Sequence, residues 1–465
     1  MEKIRGNKFL ILFFILFTFT GTVFAEEVKS AKIEHVDLSF EQAYILMLEN
    51  NYKLKAYNQA IQQSKYEKKS ALGQFAPKVV ANATYLQFSS DMTLSSAGSA
   101  MGVPFSANTL IQEKSVFGVG GMAVWNIFTG GKLLSNHAAA RAKLEAANEK
   151  YKETKDSLTI ELVKRYYGLR LARDVEKVRK QVEEGIGEHL RQAKLLEKEG
   201  MISKAERLHA QVAYSEALRD YKSAQSDVNI AEEGLKSLIK AENANLKNVS
   251  IEPVSLLFIY DNEINLNEIK QSMLTDNPQL KQLKAKKKAM NAKYHAKAAE
   301  YSPNISLVAY DIAGASHLSE AVPRAAFGAT ANWLLFDGFS RYNNVKAADA
   351  ERKMVDFEIK DAENNLESLA TKQYEEMIKN KTSYECSDSA IENAQEALKT
   401  ANLAFKEGFG TSLQVTDAQM MLSKVKIERL NAIYNYDLSL VNLLKTSGNT
   451  NEFLKYLLSP KFESL

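Results

Sequence analysis

The sequence predicts a mainly α-helical protein with a small β part, built twice over from long helical hairpins. Three observations carry this. Only seven prolines occur in 465 residues, and Ala/Glu/Lys/Leu-rich tracts run long between them. The stretch KEGMISKAER at 198–207 has a relative, KEGFGTSLQV, at 406–415, and each lies between two heptad-like runs. Pairs of alternating strands stand at the same point of both halves.

The two related stretches read as hairpin tips. Gly200 and Gly408 close the incoming helices, where a left-handed C-cap costs glycine little. Three residues later a hydroxyl opens the outgoing helix: Ser203 with Glu206, and Thr411 with Gln414, both capping boxes. Two tips of one design, 208 residues apart, mean an internal duplication.

In chain order, residues 1–25 read as a secretory signal peptide. Lys3, Arg5 and Lys8 precede an apolar run from Phe9 to Phe19, and Val23 and Ala25 suit a cleavage site. Without the leader the net charge is about +1, which argues against phosphate-driven nucleic-acid binding. The single cysteine, Cys386, excludes an intramolecular disulfide. The first repeat spans 26–264. A helix is expected over 39–75, opened by a capping box at Ser39 and Gln42 and ended by Pro77. A β-hairpin follows over 78–128, with strands 78–90 and 115–128 and a Gly/Ser/Asn-rich loop at 91–113. A helix then runs over 132–198 without proline, on the order of 100 Å long. After the tip come a helix over 203–240 and a small side element at 242–264.

The second repeat spans 265–446. Asn265 and Glu268 repeat the capping box of Ser39 and Gln42, 226 residues on; Asn277 matches Asn51 and Pro303 matches Pro77 at that offset. A β-hairpin is expected over 304–336, with strands 304–313 and 324–336. WLLFDG at 333–338 then matches WNIFTG at 125–130 at an offset of 208, so the first hairpin carries 18 extra residues. A second long helix covers 340–406, a last helix 412–446, and a loose tail 447–465.

Four alternating strands in a secreted chain have an edge problem. In lipid every backbone polar group must be paired, so such a sheet must close into a barrel. Four strands cannot close alone, since small barrels need about eight. Strands that meet lipid would therefore require several chains sharing one barrel, without the number being set.

The duplicated layout, the W-x-x-F-x-G pair (Trp125/Phe128/Gly130 and Trp333/Phe336/Gly338) and the stretch Phe405, Gly408, Asp417, Ala418, Gln419 together resemble the TolC family of bacterial outer-membrane channels. The resemblance covers nearly all of the mature length. It implies a homotrimeric α-barrel tunnel across the periplasm, with four strands from each protomer in a shared 12-stranded β-barrel. It also implies a Gram-negative outer-membrane location, contact with outer-membrane lipid, a periplasmic adaptor (membrane fusion) protein, and an inner-membrane pump of the RND, ABC or MFS type. The expected role is the passive exit duct of a tripartite efflux or type I secretion system. By the same resemblance the periplasmic gate falls at Phe405, Gly410, Gln414 and Asp417. Asp417 matches a family aspartate, while Phe405, Gly410 and Gln414 stand where the family has tyrosine, arginine and a second acid. The adaptor would dock on the tips, at Gly200, Met201 and Ser203 and at Gly408, Phe409, Thr411 and Ser412.

No enzyme is expected, nor any cofactor. Gly118, Gly120 and Gly121 lack the Lys-Ser/Thr of a phosphate loop and read as strand packing. The six histidines, among them His189, show no ligand spacing. Lys286–Lys288 reads as a solvated helix face. The competing reading is a secreted periplasmic coiled-coil spacer, which explains the long helices but not the paired strands. A periplasmic adaptor would carry one hairpin between compact β domains, an arrangement this sequence lacks.

Overall fold

The computed structural model describes residues 35–100, 103–240, 246, 250–254, 264–319 and 322–457. The leader at 1–25, most of the side element at 242–264 and the end of the tail lie outside the described residues.

The first repeat opens with strand β1 (His35–Leu38) and helices α1 (Phe40–Asn50) and α2 (Tyr52–Gly73). The expected single helix over 39–75 is therefore two. Asn51 leaves helical geometry (ψ 119°), ends α1, and caps α2 by accepting the Lys53 N–H at 2.9 Å. Asn277 does the same between α5 (Leu266–Asp276) and α6 (Pro278–Ala298), accepting the Leu280 N–H at 3.1 Å. Both amides are buried, and each donates across to the last turn of a distant helix: Asn51 to the Leu238 carbonyl at 3.5 Å, Asn277 to the Thr446 carbonyl at 3.0 Å. Each repeat thus stacks two shorter helices end to end beside one long helix. The capping box at Ser39 and Gln42 is complete. At Asn265 it is not: the Glu268 carboxylate accepts the Asn265 side-chain amide at 3.1 Å and leaves the backbone.

The first hairpin is richer than its sequence suggests. Strands β2 (Lys78–Gln87) and β5 (Ser115–Phe128) pair, and the segment expected as a loop forms β3 (Met92–Ala100) and β4 (Val103–Gln112), an antiparallel hairpin of its own. Its small polar side chains obscure the strand pattern, yet pair across strands, as Ser95 does with Asn108. In the second repeat β7 (Asn304–Ser316) is longer than expected, and β8 (Ala325–Asn332) stops before Trp333. The main sheet runs β2-β5-β7-β8, antiparallel throughout, with neither outer edge paired among the described residues. Gly120 sits at a register shift between β5 and β7, where a Cβ would lie 2.2 Å from the Asp311 carbonyl oxygen.

Helix α3 (Lys132–Lys198) is unbroken over 67 residues, about 100 Å. It packs on α2, on α4 (Lys204–Ile239), on α6 and on α9 (Ser412–Ser447). Its counterpart is interrupted at Cys386 into α7 (Ser340–Glu385) and α8 (Ser387–Lys406), correcting the expected continuous helix. There the Ser387 hydroxyl donates to the Tyr384 carbonyl at 2.6 Å, a back-bond that bends helices. Lys286 and Lys287 of α6 pair with Glu358 and Asp356 of α7, and Lys288 pairs with Glu145 of α3, so the basic run bridges α6 to both neighbouring helices.

The largest core lies midway along α3, where α1, α4 and α9 meet α10 (Glu452–Leu457), so the start of the tail expected to be loose is packed through Phe453. Phe40, Tyr166, Tyr167 and Phe453 form an aromatic cluster with centroids 5.2–6.5 Å apart. Of the side element, β6 (Ser250–Pro253) pairs in parallel with β1 and is pinned by Arg173, which donates to the Ile251 carbonyl at 2.6 Å and binds Glu232 and Glu252.

Candidate functional site at the helical tips

Both tips are Schellman turns with the same bonds. In the first, Met201 N–H donates to the Leu196 carbonyl at 2.8 Å and Gly200 N–H to Glu197 at 3.0 Å. In the second, Phe409 N–H donates to Ala404 at 2.8 Å and Gly408 N–H to Phe405 at 3.1 Å. The pattern needs a left-handed residue, supplied by Gly200 (φ 75°) and Gly408 (φ 81°). The turns leave Met201 and Phe409 projecting, Phe409 91% exposed.

Helix starts differ between the tips. Thr411 and Gln414 make the full capping box. At the first tip only half of the expected box exists. Ser203 Oγ accepts the Glu206 N–H at 3.3 Å, but the Glu206 carboxylate turns away and accepts the backbone N–H of Ser412 at 2.7 Å. Ser412 is the first residue of α9, so its N–H has no partner within the helix, and an N-terminus favours an anion. The Ser412 hydroxyl lies 2.7 Å from Nε2 of His189 on α3. One residue of the second tip is thus held by two residues of the first hairpin.

Of the four expected gate residues, Phe405 is buried (1% exposed) among Leu190, Ala193, Ala210 and Val415, with its ring edge-on to His189 at 4.5 Å. Gly410 packs against the end of α8, where a Cβ would meet Phe405 N at 2.8 Å and Ala404 C at 3.0 Å. Gln414 is exposed and committed to its cap. Asp417 is exposed and lines a groove of about 660 Å³ between α4 and α9, with Leu208, Val212, Glu216 and Met420. Within the chain the four do not converge on one point. Gln419 of the same stretch lies against Gly185 of α3, where a Cβ would be 3.4 Å from its Oε1.

His189 is what the spacing argument missed. It is 4% exposed, and its Nδ1 meets no hydrogen-bond partner among the described residues. Burial holds its pKa below the ordinary histidine range, while Glu206 pulls the other way. The available signal was its place between Ile186 and Leu190 on the apolar seam of α3. No group of His, Cys, Asp and Glu among the described residues could hold a metal ion.

The geometry, a strand sheet with open edges on one end of paired long helices and two crosslinked tips, has parallels. No curated relative matches the chain by sequence. Among solved structures it is similar to CusC, described in terms of transmembrane channel formation, at TM-score 0.74 and 15% identity, covering 89% of this chain and 92% of that one. It is similar to the Campylobacter jejuni CmeC outer membrane channel at TM-score 0.74 and 16% identity, covering 90% and 89%. It is similar to the Vibrio cholerae outer membrane protein VceC at TM-score 0.72 and 13% identity, covering 88% and 96%. At such identities these likenesses speak to the fold. The sequence profile described as Outer membrane efflux protein matches residues 43–239 and 269–449, each stretch covering most of one repeat. The chain belongs to the outer membrane efflux protein family.

Proposed function

We propose that the chain is the outer-membrane exit duct of a tripartite efflux or type I secretion system, working passively as a homotrimer in a Gram-negative bacterium. The observation that carries this reading is the four-stranded sheet, its edges unpaired among the described residues, mounted on a helix about 100 Å long. A sheet with two unpaired edges is tolerated in lipid only when neighbouring copies pair with them. Three copies give twelve strands, enough to close a barrel. The same three copies place twelve helical strands around a tunnel long enough to cross the periplasm.

In this arrangement the tips face an inner-membrane pump of the RND, ABC or MFS type. The projecting Met201 and Phe409, with Gly200, Ser203, Gly408 and Thr411 around them, offer tight turns for the close approach of another helical hairpin, that of a periplasmic adaptor; Ser412, expected among the docking residues, is buried beneath them. Asp417 supplies the gate's acidic ring, three copies about the symmetry axis attracting cations. Phe405, Gly410 and Gln414 serve the gate by shaping the tip that carries it. The duct contributes no chemistry, so energy and substrate choice reside in the pump.

The test is the native mass of the protein extracted by detergent from separated outer membranes. A trimer that conducts ions in a planar bilayer supports the duct. A soluble periplasmic monomer or dimer would mean that the strands never meet lipid, and the spacer reading would replace it.

A further inference from the structure

We propose that His189, Ser412 and Glu206 form a pH-sensitive clasp, which holds the two hairpin tips of each protomer together and releases them when His189 takes up a proton. The placement of the clasp at a gate rests on the duct reading; the clasp itself rests on the geometry of one chain.

Ser412 is the shared element. Its backbone N–H goes to Glu206 of α4 at 2.7 Å and its hydroxyl to Nε2 of His189 on α3, also at 2.7 Å. Both helices belong to the first hairpin, while Ser412 begins the outgoing helix of the second. Ser412 is fully buried, so neither bond is exchanged with water without opening the contact. With the ring neutral, one ring nitrogen serves Ser412. In the protonated ring both nitrogens donate, and Nδ1 is buried with no acceptor among the described residues. An orphaned charged donor in such a site is what packing disfavours most.

The charges around the ring leave Glu206 to act alone. On α3, Glu188 and Arg191 flank His189 and bind each other at 2.5 Å. On α4, Arg207 is bound to Glu197 at 3.1 Å. On α8 the contacting side chain is Phe405, and Lys406 and Glu407 are exposed. On α9 the contact is Ser412, and Asp417 lies in the α4–α9 groove with His209. Glu206 is already engaged at the α9 N-terminus, and burial outweighs its pull on the ring. A histidine that resists protonation when packed stabilises that packing above the usual histidine range. The contribution fades as pH falls through that range towards the lower, packed-state pKa. Acid therefore loosens the tips.

The experiment is amide hydrogen exchange of residues 408–416 in the full-length protein in detergent, at about pH 7.5 and about pH 5, corrected for intrinsic exchange. In the wild type the first turn of α9 is expected to exchange about tenfold faster at the lower pH. In His189→Gln, and in His189→Asn as a second neutral replacement, that pH step is expected to vanish. A wild type equally protected at both pH values overturns the clasp, as does an undiminished step in either variant. Bilayer conductance of the same samples tests the other reading separately. A protein that never conducts refutes the duct while exchange still decides the clasp. An exchange step without a conductance step leaves the clasp standing and moves the gate elsewhere.

Discussion

Trp125 and Trp333 make the same bond in the two repeats: each indole N–H donates to a backbone carbonyl just past the end of the preceding α-helix, Phe75 at 2.8 Å and Tyr301 at 3.0 Å. The donors are 208 residues apart and the acceptors 226, because the longer first hairpin lies between acceptor and donor. The bond therefore joins the root of the sheet to the helices whatever the hairpin length. Indole is a donor only, and it is used here as a fixed tether.

Trp333→Phe keeps an aromatic ring but loses the pyrrole half of the indole with its N–H. It should cost about 1 kcal/mol, seen as a lower unfolding temperature of the detergent-solubilised protein. An unchanged transition would remove the tether from the account.

Replacing Gly408 by Val forces a branched side chain into φ 81° and should destabilise the tip by at least 1–2 kcal/mol, roughly the cost of a left-handed non-glycine residue. The double variant with Gly200→Val should assemble yet lose export in a cell-based efflux assay. Normal export would separate the tips from docking.

Asp156, buried on α3, has its carboxyl pushed up to about 6 by burial. Its raised pKa favours the packed state below about pH 4, and that contribution is lost as pH rises through about 6. Asp156→Asn should therefore stabilise the protein at pH above 7 by on the order of 2 kcal/mol and give no gain near pH 4. Thermal melts at the two pH values measure both arms.

Asp417→Ala should weaken the cation preference of the channel in a planar bilayer. Reversal potentials under a salt gradient measure it, and unchanged selectivity would take Asp417 out of the pore.

The duplicated helical fold and its tips were legible because they rest on local chemistry. A glycine after an apolar run and a hydroxyl three residues on carry their meaning within one turn of chain. Asn51 and Asn277 matched at the repeat offset, but helical periodicity passes through both, so the breaks they cap were hidden. The β3–β4 hairpin was read as loop because Ser, Ala and Gly carry little strand propensity, and its pairing comes from backbone bonds. Strands β1 and β6 lie more than 200 residues apart and could not be matched by pattern. The tip contact was least legible of all. Glu206 had a satisfactory local role as a cap partner, and only the folded chain shows its carboxylate spent on Ser412.

The open edges of β2 and β8 also shape inheritance. In the proposed ring of three there is no place for a protomer whose edge cannot pair, and one such copy spoils the ring it joins. When damaged and intact chains are made in equal amounts and mix at random, only about one ring in eight is wholly intact. Lesions in these two strands should therefore behave as dominant alleles. Losing the gene outright should be recessive to an intact second copy.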